Sequence, residues 1–555
     1  MSGTLPRVAI MVSLASVLFL FRLGTADWRG DFDTHQAQII QEIRAGHGWV
    51  LPLRNGRHLP DKAPLFSWLG AASATWRSTS GDRLDARVPS AVLGVVCVCA
   101  VYTFADALAG AEVATWAALI LITTPQFVIS ARDSRVDMVF CTFLTLALML
   151  VWRAYDGVGG RRAALLAGIC LGLATLSKGP LAIVLTVLVF GATALLVPRL
   201  DGGRALLTLP AVTAAVVPPA LWYLAATVQQ GRAFLRLQLF DENLGRLTGN
   251  LGQWPLAYYV LPLFALGLPW SAALPGAVAG ESAVPLRARR FLWIWVSVMF
   301  AFFSVALGKR QVYILPVRPA LAILLAGWLV PVLQRLRTLP RPGTTPRAAH
   351  VAVAALVVVG LAGALALRAG IGGVAASPQA WSYWWRLYLQ AHLWSAVVLL
   401  AGVGIGIDLM MRWTYERRIE LAAYALAATL ALGWTIGLSA DAMVRGAAVS
   451  FEPLAQRVAA EVERTEPLAF LDVDDETAIC LLYYLRRHVP VTQSVDGPGP
   501  CTPPGPGAYL IGEQRWDERN CAADARWHLL GRGGPEITSH RAQRLVLARF
   551  GESRH

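Results

Sequence analysis

The sequence predicts an α-helical polytopic membrane protein with interfacial helices and a small C-terminal α/β domain. Three observations predict it. Hydrophobic residues fill 56% of the 555 positions and charged residues only 15%, too few charges to coat several soluble domains of this total length. Apolar runs of about 17–25 residues recur along the chain, the length that crosses a bilayer as a helix. Arginines cluster in short loops between alternate runs, as they do in cytoplasmic loops.

Thirteen runs qualify, near 6–23, 86–106, 112–130, 136–153, 163–178, 180–198, 206–228, 255–277, 291–307, 313–334, 350–369, 389–411 and 420–440. With the N-terminus in the cytoplasm, the inner loops hold Arg153, Arg161 and Arg162; Arg199 and Arg204; Arg287, Arg289 and Arg290; Arg335, Arg337, Arg341 and Arg347; and Arg412, Arg417 and Arg418. The loop from Asp106 to Glu112 carries no basic residue. The net charge of +14 thus reports orientation in a membrane, and no nucleic-acid partner is expected. Val8–Phe21 resembles a signal peptide, but no small-residue cleavage site follows, so it reads as a retained first helix. No internal repeat sorts the spans into two halves.

This topology exposes three segments on the outer face: a loop at 24–85, a loop at 229–254, and a tail. In the first loop, DTHQAQIIQEIRAG has Asp33 as a helix N-cap and Ile39, Ile40 and Ile43 at helical spacing, an amphipathic helix for the membrane surface. PLFSWLGAASATW is apolar but short, and reads as a second interfacial helix. The tail alternates PLAQRVAAEVER (helix), PLAFLDV (strand), ETAICLLYYLRRH (helix), VPVTQ (strand) and AYLIGE (strand). Residues 1–444 therefore form a transmembrane domain and 445–555 a soluble α/β domain. Cys97, Cys99, Cys141 and Cys170 lie in apolar runs as small core residues. Cys480, Cys501 and Cys521 lie in the tail, where one disulfide can form between an unassigned pair.

Of 49 basic residues only Lys62 (LPDKAP), Lys178 (SKGP) and Lys309 (GKRQ) are lysines, and all fall on the predicted outer face. A compact ammonium suits phosphate; a lysine at a membrane boundary can also simply snorkel. Asp31 and Asp33 open the first interfacial helix, for capping or for catalysis. Asp137 in ARDSRVDMVF starts a span, where an acid is costly unless paired or functional; Arg132 and Arg135 are local candidates for a salt bridge. Asp61 beside Lys62 suits an ion pair or a metal. Glu242 and Arg246 in FDENLGRL have the i, i+4 spacing of a helical ion pair. Tyr313 suits a membrane interface. His35, His47 and His58 lack zinc-site spacing. DVDDE at 472–476 lacks the glycine of a calcium loop and reads as a helix start.

In their order, these segments resemble the polytopic GT-C glycosyltransferases of the family 39/83 type, which include protein O-mannosyltransferases and the bacterial transferases that add aminoarabinose to lipid A. The resemblance covers roughly residues 24–335. It rests on GDFDTHQAQIIQEIRAGHGWVLPLRNGRHLPDKAPL, ARDSRVDMVF, LATLSKGPLAI, FDENLGRLTG followed by PLAYYVLPLFALGLPW, and GKRQVYILPVRPALAIL. There are departures: Ala63 replaces the first proline after the lysine, Asn243 stands where some lipid A transferases carry a metal-binding histidine, and Phe32 stands where the leading aspartate usually falls. Asp31 and Asp33 therefore both stay open for that place.

The resemblance implies a GT-C fold of about 13 transmembrane helices. It implies a hexosyl- or pentosyltransferase moving a sugar, with inversion, from a polyprenyl-phosphate donor (undecaprenyl phosphate in bacteria) to a lipid, glycan or protein acceptor at the outer face of the cytoplasmic membrane. Asp33, or Asp31, would be the general base; Asp137 would position sugar or acceptor. Lys62, Arg246 and Tyr313, with Lys309 and Lys178, would attend the donor phosphate. No cofactor is required, though Asp61 and Glu242 could hold a divalent metal. The sequence has no GxxxxGK[ST] nucleotide loop. A non-catalytic transporter or flippase of lipid-linked glycans is the alternative; it would place ionisable groups near the midplane on broken helices, where this sequence is almost uncharged.

Overall fold

The structure is a computed structural model describing residues 4–28, 31–55, 57–58, 63–197, 208–238, 245, 254–338, 347–370, 380–471, 473–487, 489–492, 503, 506–518, 521–523, 526–533 and 544–551. The membrane part runs α1 (Thr4–Leu20), α2 (Asp31–Arg44), a short β1–β2 hairpin (Leu53–Arg54, Arg57–His58), α3 (Leu65–Trp76), α4 (Arg83–Ala109), α5 (Ala111–Thr123), α6 (Pro125–Ala131), α7 (Val136–Tyr155), α8 (Gly160–Lys178), α9 (Leu181–Leu196), α10 (Leu209–Gln230) and α11 (Arg232–Leu235). It continues through α12 (Val260–Ala265), α13 (Leu274–Ala279), α14 (Leu286–Val305), α15 (Arg318–Thr338), α16 (Arg347–Ala369), α17 (Trp381–Tyr415) and α18 (Ile419–Val449).

All thirteen predicted spans fall on helices, but not all are straight crossings. Eight are long and apolar enough to cross alone: α4, α7, α10, α14, the Gln311–Thr338 segment that contains α15, α16, α17 and α18. Helices α1 and α9 are shorter apolar helices, and α8 has 19 residues. Two predicted spans are broken. Helices α5 and α6 meet at 67°, and Leu256–Ala265 meets Trp270–Ala279 at 108°. Pro125 opens α6 and has no N–H with which to continue the ladder of α5. In the second pair Gly267 and Pro269 interrupt the helix. A hydropathy run passes through such breaks unchanged.

The second break is held from outside. Arg318, buried at the start of α15, donates from Nη1 to the Leu263 carbonyl at 2.9 Å, from Nη2 to the Pro262 carbonyl at 3.0 Å, and from Nε to Gln126 Oε1 at 2.7 Å. One planar guanidinium thus caps the Leu263 carbonyl at the end of α12 and adds a second bond to that of Pro262, which already accepts from the Leu266 N–H at 3.1 Å. Elsewhere packing depends on small residues. A Cβ on Gly168 would lie 2.1 Å from the Ala211 carbonyl oxygen, and one on Gly172 2.7 Å from that of Ala214. Helices α8 and α10 therefore approach backbone to backbone along a GxxxG face. By contrast α16 and α17 bury almost nothing within the chain, as lipid-facing helices do.

Among the described residues, arginines of the predicted inner loops pair with acids of neighbouring inner loops. Arg337 pairs with Glu112 at 2.9 Å and Arg287 with Asp156 at 3.6 Å. Helices α2 and α3 lie across the first long loop. Helix α2 begins two residues before the predicted cap, so Asp31 and Asp33 both sit in its first turn, where the helix dipole favours anions. Its apolar face, Ile39, Ile40 and Ile43, is buried as expected. Its polar face is not left to solvent or headgroups: Gln36 accepts from Ser67 at 2.9 Å, and the Gln38 amide donates to the Ile479 carbonyl. The C-terminal domain covers that face.

That domain comprises α19 (Glu452–Glu461), β3 (Leu468–Leu471), α20 (Asp475–Leu485), β4 (Val491–Thr492), β5 (Gly507–Gly512), α21 (Glu513–Glu518), β6 (Trp527–Gly533) and β7 (Leu545–Phe550). Its five-stranded sheet has the order β4-β3-β5-β7-β6, with β4, β3 and β5 parallel and β7 and β6 antiparallel. Asp474 caps α20 through Thr477, accepting from its N–H at 2.7 Å and its hydroxyl at 2.8 Å, which is the helix start expected of DVDDE. Cys480 keeps its thiol, and Cys521 is disulfide-bonded. Further contacts tie the domain to the first loop. Asn55, itself at a positive φ of 51°, exchanges two hydrogen bonds with Val489, of 2.7 and 2.9 Å. Tyr484 donates to Asp27, and Arg83 bridges Asp27 at 3.0 Å and Glu452 at 2.6 Å.

Candidate active site

The SKGP turn explains itself locally. Gly179 ends α8 with φ 81°, its N–H donating to the Thr175 carbonyl at 2.7 Å, and Pro180 prevents continuation. Lys178 is thus the last residue of α8, where cations are favoured, and Asp137 is the second of α7, where anions are favoured. The two helices run antiparallel and bring these ends together. Lys178 Nζ meets Asp137 Oδ1 at 2.5 Å, each side chain about a tenth exposed (11% and 12%). The same ammonium lies 4.7 Å from the Tyr313 ring centroid and 5.3 Å from that of Phe140, a cation–π cradle. Arg135 and Arg310 also act electrostatically on Asp137, and Arg135 in turn pairs with Asp133 at 3.9 Å.

Asp137 therefore does not pair with Arg132, one of its local candidates. The Arg132 guanidinium turns back to α1 and donates to the carbonyls of Leu18 at 2.7 Å, Phe19 at 3.3 Å and Phe21 at 2.8 Å. The true partner lies 41 residues away in sequence, beyond any local reading.

Lys309 is placed differently. It is buried, and its ammonium donates to the backbone carbonyls of Ala306 at 2.5 Å and Trp254 at 3.2 Å. Burial holds its pKa below the usual lysine range. Lys309→Met is expected to cost about 1–3 kcal/mol of stability through these lost bonds and to leave the apparent KM for donor unchanged. Thermal unfolding in detergent alongside donor titration checks it; a raised KM at unchanged stability would assign Lys309 to the phosphate instead.

Lys62, Asp61, Arg246 and Glu242 lie outside the described residues. Asp31 and Asp33 are described only as part of the helix α2. Their neighbours converge nonetheless. Ala37 of α2, Ala63 next to Lys62, Val136 next to Asp137, Leu176 near Lys178, Trp222 of α10 and Phe234 of α11 belong to one buried apolar cluster, and Trp222 Nε1 donates to the Val50 carbonyl at 2.7 Å. Four of the segments singled out in sequence thus meet at one end of the bundle. Among the described residues no group of three His, Cys, Asp or Glu converges as metal ligands would. Arg135, one of the two local candidates, does act electrostatically on Asp137. Arg310 and the buried clamp Arg318 were missed in sequence: Arg310 stands within GKRQ, where proximity to Lys309 was the signal, and Arg318 sat unremarked in the following apolar run.

A helical bundle with broken spans, helices across its first long loop and a C-terminal α/β domain clasping them defines the GT-C class of glycosyltransferase folds. The chain superposes on the crystal structure of ArnT from Cupriavidus metallidurans bound to undecaprenyl phosphate with a TM-score of 0.75 over 98% of this chain and 97% of that one, at 20% identity. Residues 31–229 match the family described as dolichyl-phosphate-mannose-protein mannosyltransferase. The chain is 33% identical over 318 residues to the undecaprenyl phosphate-alpha-4-amino-4-deoxy-L-arabinose arabinosyl transferase of Pseudomonas aeruginosa (strain UCBPP-PA14), covering 55% of this chain and 56% of that one. It is 28% identical over 340 residues to a second such transferase from Pseudomonas fluorescens, covering 59% and 57%. The chain thus spans about half the length of the curated relatives it matches, all within a multi-pass membrane protein.

Proposed function

We propose that the chain is a glycosyltransferase that moves a sugar from a polyprenyl-phosphate donor, undecaprenyl phosphate in a bacterium, to an acceptor hydroxyl on the outer face of the cytoplasmic membrane. The N-terminus lies inside, and the α/β domain, from about residue 445, lies outside. The observation that carries this reading is the convergence of the α2, Ala63, Asp137 and Lys178 segments at one end of a GT-C bundle, the end opposite the arginine-rich loops. Acids and cations at helix ends, rather than at mid-bilayer, suit a substrate whose reactive phosphate sits at headgroup depth.

In this reading the acceptor oxygen attacks the sugar's anomeric carbon as the bond from that carbon to the phosphate oxygen breaks. The acceptor proton passes to Asp33, the configuration inverts, and polyprenyl phosphate leaves with the bonding pair. Lys62 and Arg246 hold the leaving phosphate and stabilise the charge that develops there. Asp137, fixed by Lys178, is too well paired to be the stronger base and instead orients the sugar or acceptor.

The test is a transfer assay with purified protein in nanodiscs, supplied with envelope lipids and labelled undecaprenyl-phosphate sugars. Label is expected in a new glycoconjugate from the lipid-linked donor and not from nucleotide sugars. Passage of labelled donor across sealed vesicles with no transfer would establish the transporter instead.

A further inference from the structure

Where the C-terminal domain clasps α2, the two enclose a cleft of about 560 Å³. It lies beyond Asp33 along the helix: Glu42, on its wall, is nine residues on, or about 14 Å at 1.5 Å per residue. Three guanidiniums line it, Arg44 from α2 and Arg486 and Arg487 from the end of α20, with Glu42, Gln38 and Gln41 between them. None of the three arginines forms an ion pair with a carboxylate among the described residues. Arg44 donates to the Thr79 carbonyl at 3.1 Å and Thr75 Oγ1 at 2.9 Å, and Arg487 to the carbonyls of Glu463 and Glu466 at 3.3 and 2.5 Å. These bonds fix the two side chains and leave their charge unneutralised. Arg486 is exposed and has φ 48°, ψ 36°, a left-handed conformation that glycine or asparagine adopts at less cost. An arginine kept in strained backbone at the mouth of a cleft points to use of its side chain.

We propose that this cleft binds a phosphate carried on a saccharide, and so holds the acceptor at a second point while its hydroxyl lies at Asp33. The chemistry is specific to the lining. Guanidiniums grip phosphate oxygens with paired hydrogen bonds, and the amides of Gln38 and Gln41 and the Glu42 carboxylate suit sugar hydroxyls. This rests on the transferase reading for the acceptor's role but not for the cleft's chemistry.

The test uses full-length protein in detergent and in nanodiscs with neutral or anionic lipid. The probes are glucose 1-phosphate, inorganic phosphate and glucose. Wild type is expected to bind glucose 1-phosphate more tightly than inorganic phosphate, and glucose weakly. Binding of inorganic phosphate alone, or competition by anionic lipid that abolishes sugar-phosphate binding, would overturn the proposal in favour of a plain phosphate or headgroup site. Arg486→Gly relieves the left-handed strain, so it is expected to fold as wild type by thermal unfolding while losing roughly tenfold to a hundredfold in sugar-phosphate affinity. Unchanged affinity in this variant would also overturn it. If wild type transfers sugar but Arg486→Gly leaves the acceptor KM unaltered, the cleft is not the acceptor's anchor and the transferase reading stands. If binding is lost in the variant while wild type transfers nothing, the sugar-phosphate site stands and the transferase reading fails.

Discussion

Asp33→Asn is expected to lower transfer by roughly 10²–10⁴-fold with the fold intact, whereas Asp137→Asn is expected to cost activity and stability together. The difference follows from their surroundings. Asp33 lies in the first turn of α2, where an amide is sterically equivalent and only proton acceptance is lost. Asp137 shares a buried contact with Lys178, and neutralising it leaves an ammonium beside a neutral amide and two aromatic faces where its counter-charge was. Breaking one side of a buried pair costs about 3–5 kcal/mol. Lys178→Met in the Asp137→Asn background removes the stranded charge and is expected to return most of the stability but none of the activity. Thermal unfolding and single-turnover transfer on the two singles and the double separate the effects. Asp31→Asn is the control: if it, rather than Asp33→Asn, abolishes transfer in a folded protein, the base is Asp31. If Asp137→Asn is fully active, its assigned role in orientation is wrong.

The second large effect is expected at Arg318. Arg318→Leu removes three donors at once and leaves Gln126 Oε1 and the Leu263 carbonyl without them inside the bundle, while the Pro262 carbonyl keeps its bond from Leu266. Each unsatisfied buried group costs about 1–3 kcal/mol, so the variant is expected to lose about 2–5 kcal/mol, and to expose the 256–279 hairpin to protease. Arg318→Lys is expected to recover only part, because a single ammonium cannot span acceptors that a planar fork reaches together. Limited proteolysis and thermal unfolding of both variants decide it; a lysine variant as stable as wild type would show that charge alone, not the fork, holds the break.

The membrane class was legible because apolar run length and arginine placement are each set by the bilayer, one residue at a time. The DVDDE helix start was legible for the same local reason. What escaped the sequence is non-local. The breaks near Pro125 and Pro269 lie inside unbroken hydropathy. The polar face of α2 reads as solvent-facing until a domain more than 400 residues later covers it through Ile479. Asp137 has arginines two and five residues away, yet its carboxylate pairs with Lys178 across two helices. Strands β6 and β7 were missed because Arg532 and Arg549 interrupt their apolar alternation, each bonded to acids elsewhere in the domain. In the candidate site, residue types were readable and partnerships were not.

The three-carbonyl grip of Arg132 on the end of α1 bears on biogenesis. A guanidinium in the turn between α6 and α7 is bonded to Leu18, Phe19 and Phe21. These bonds close only once α1 and that turn have both been inserted, so assembly of this end of the bundle is coupled to the docking of its first helix.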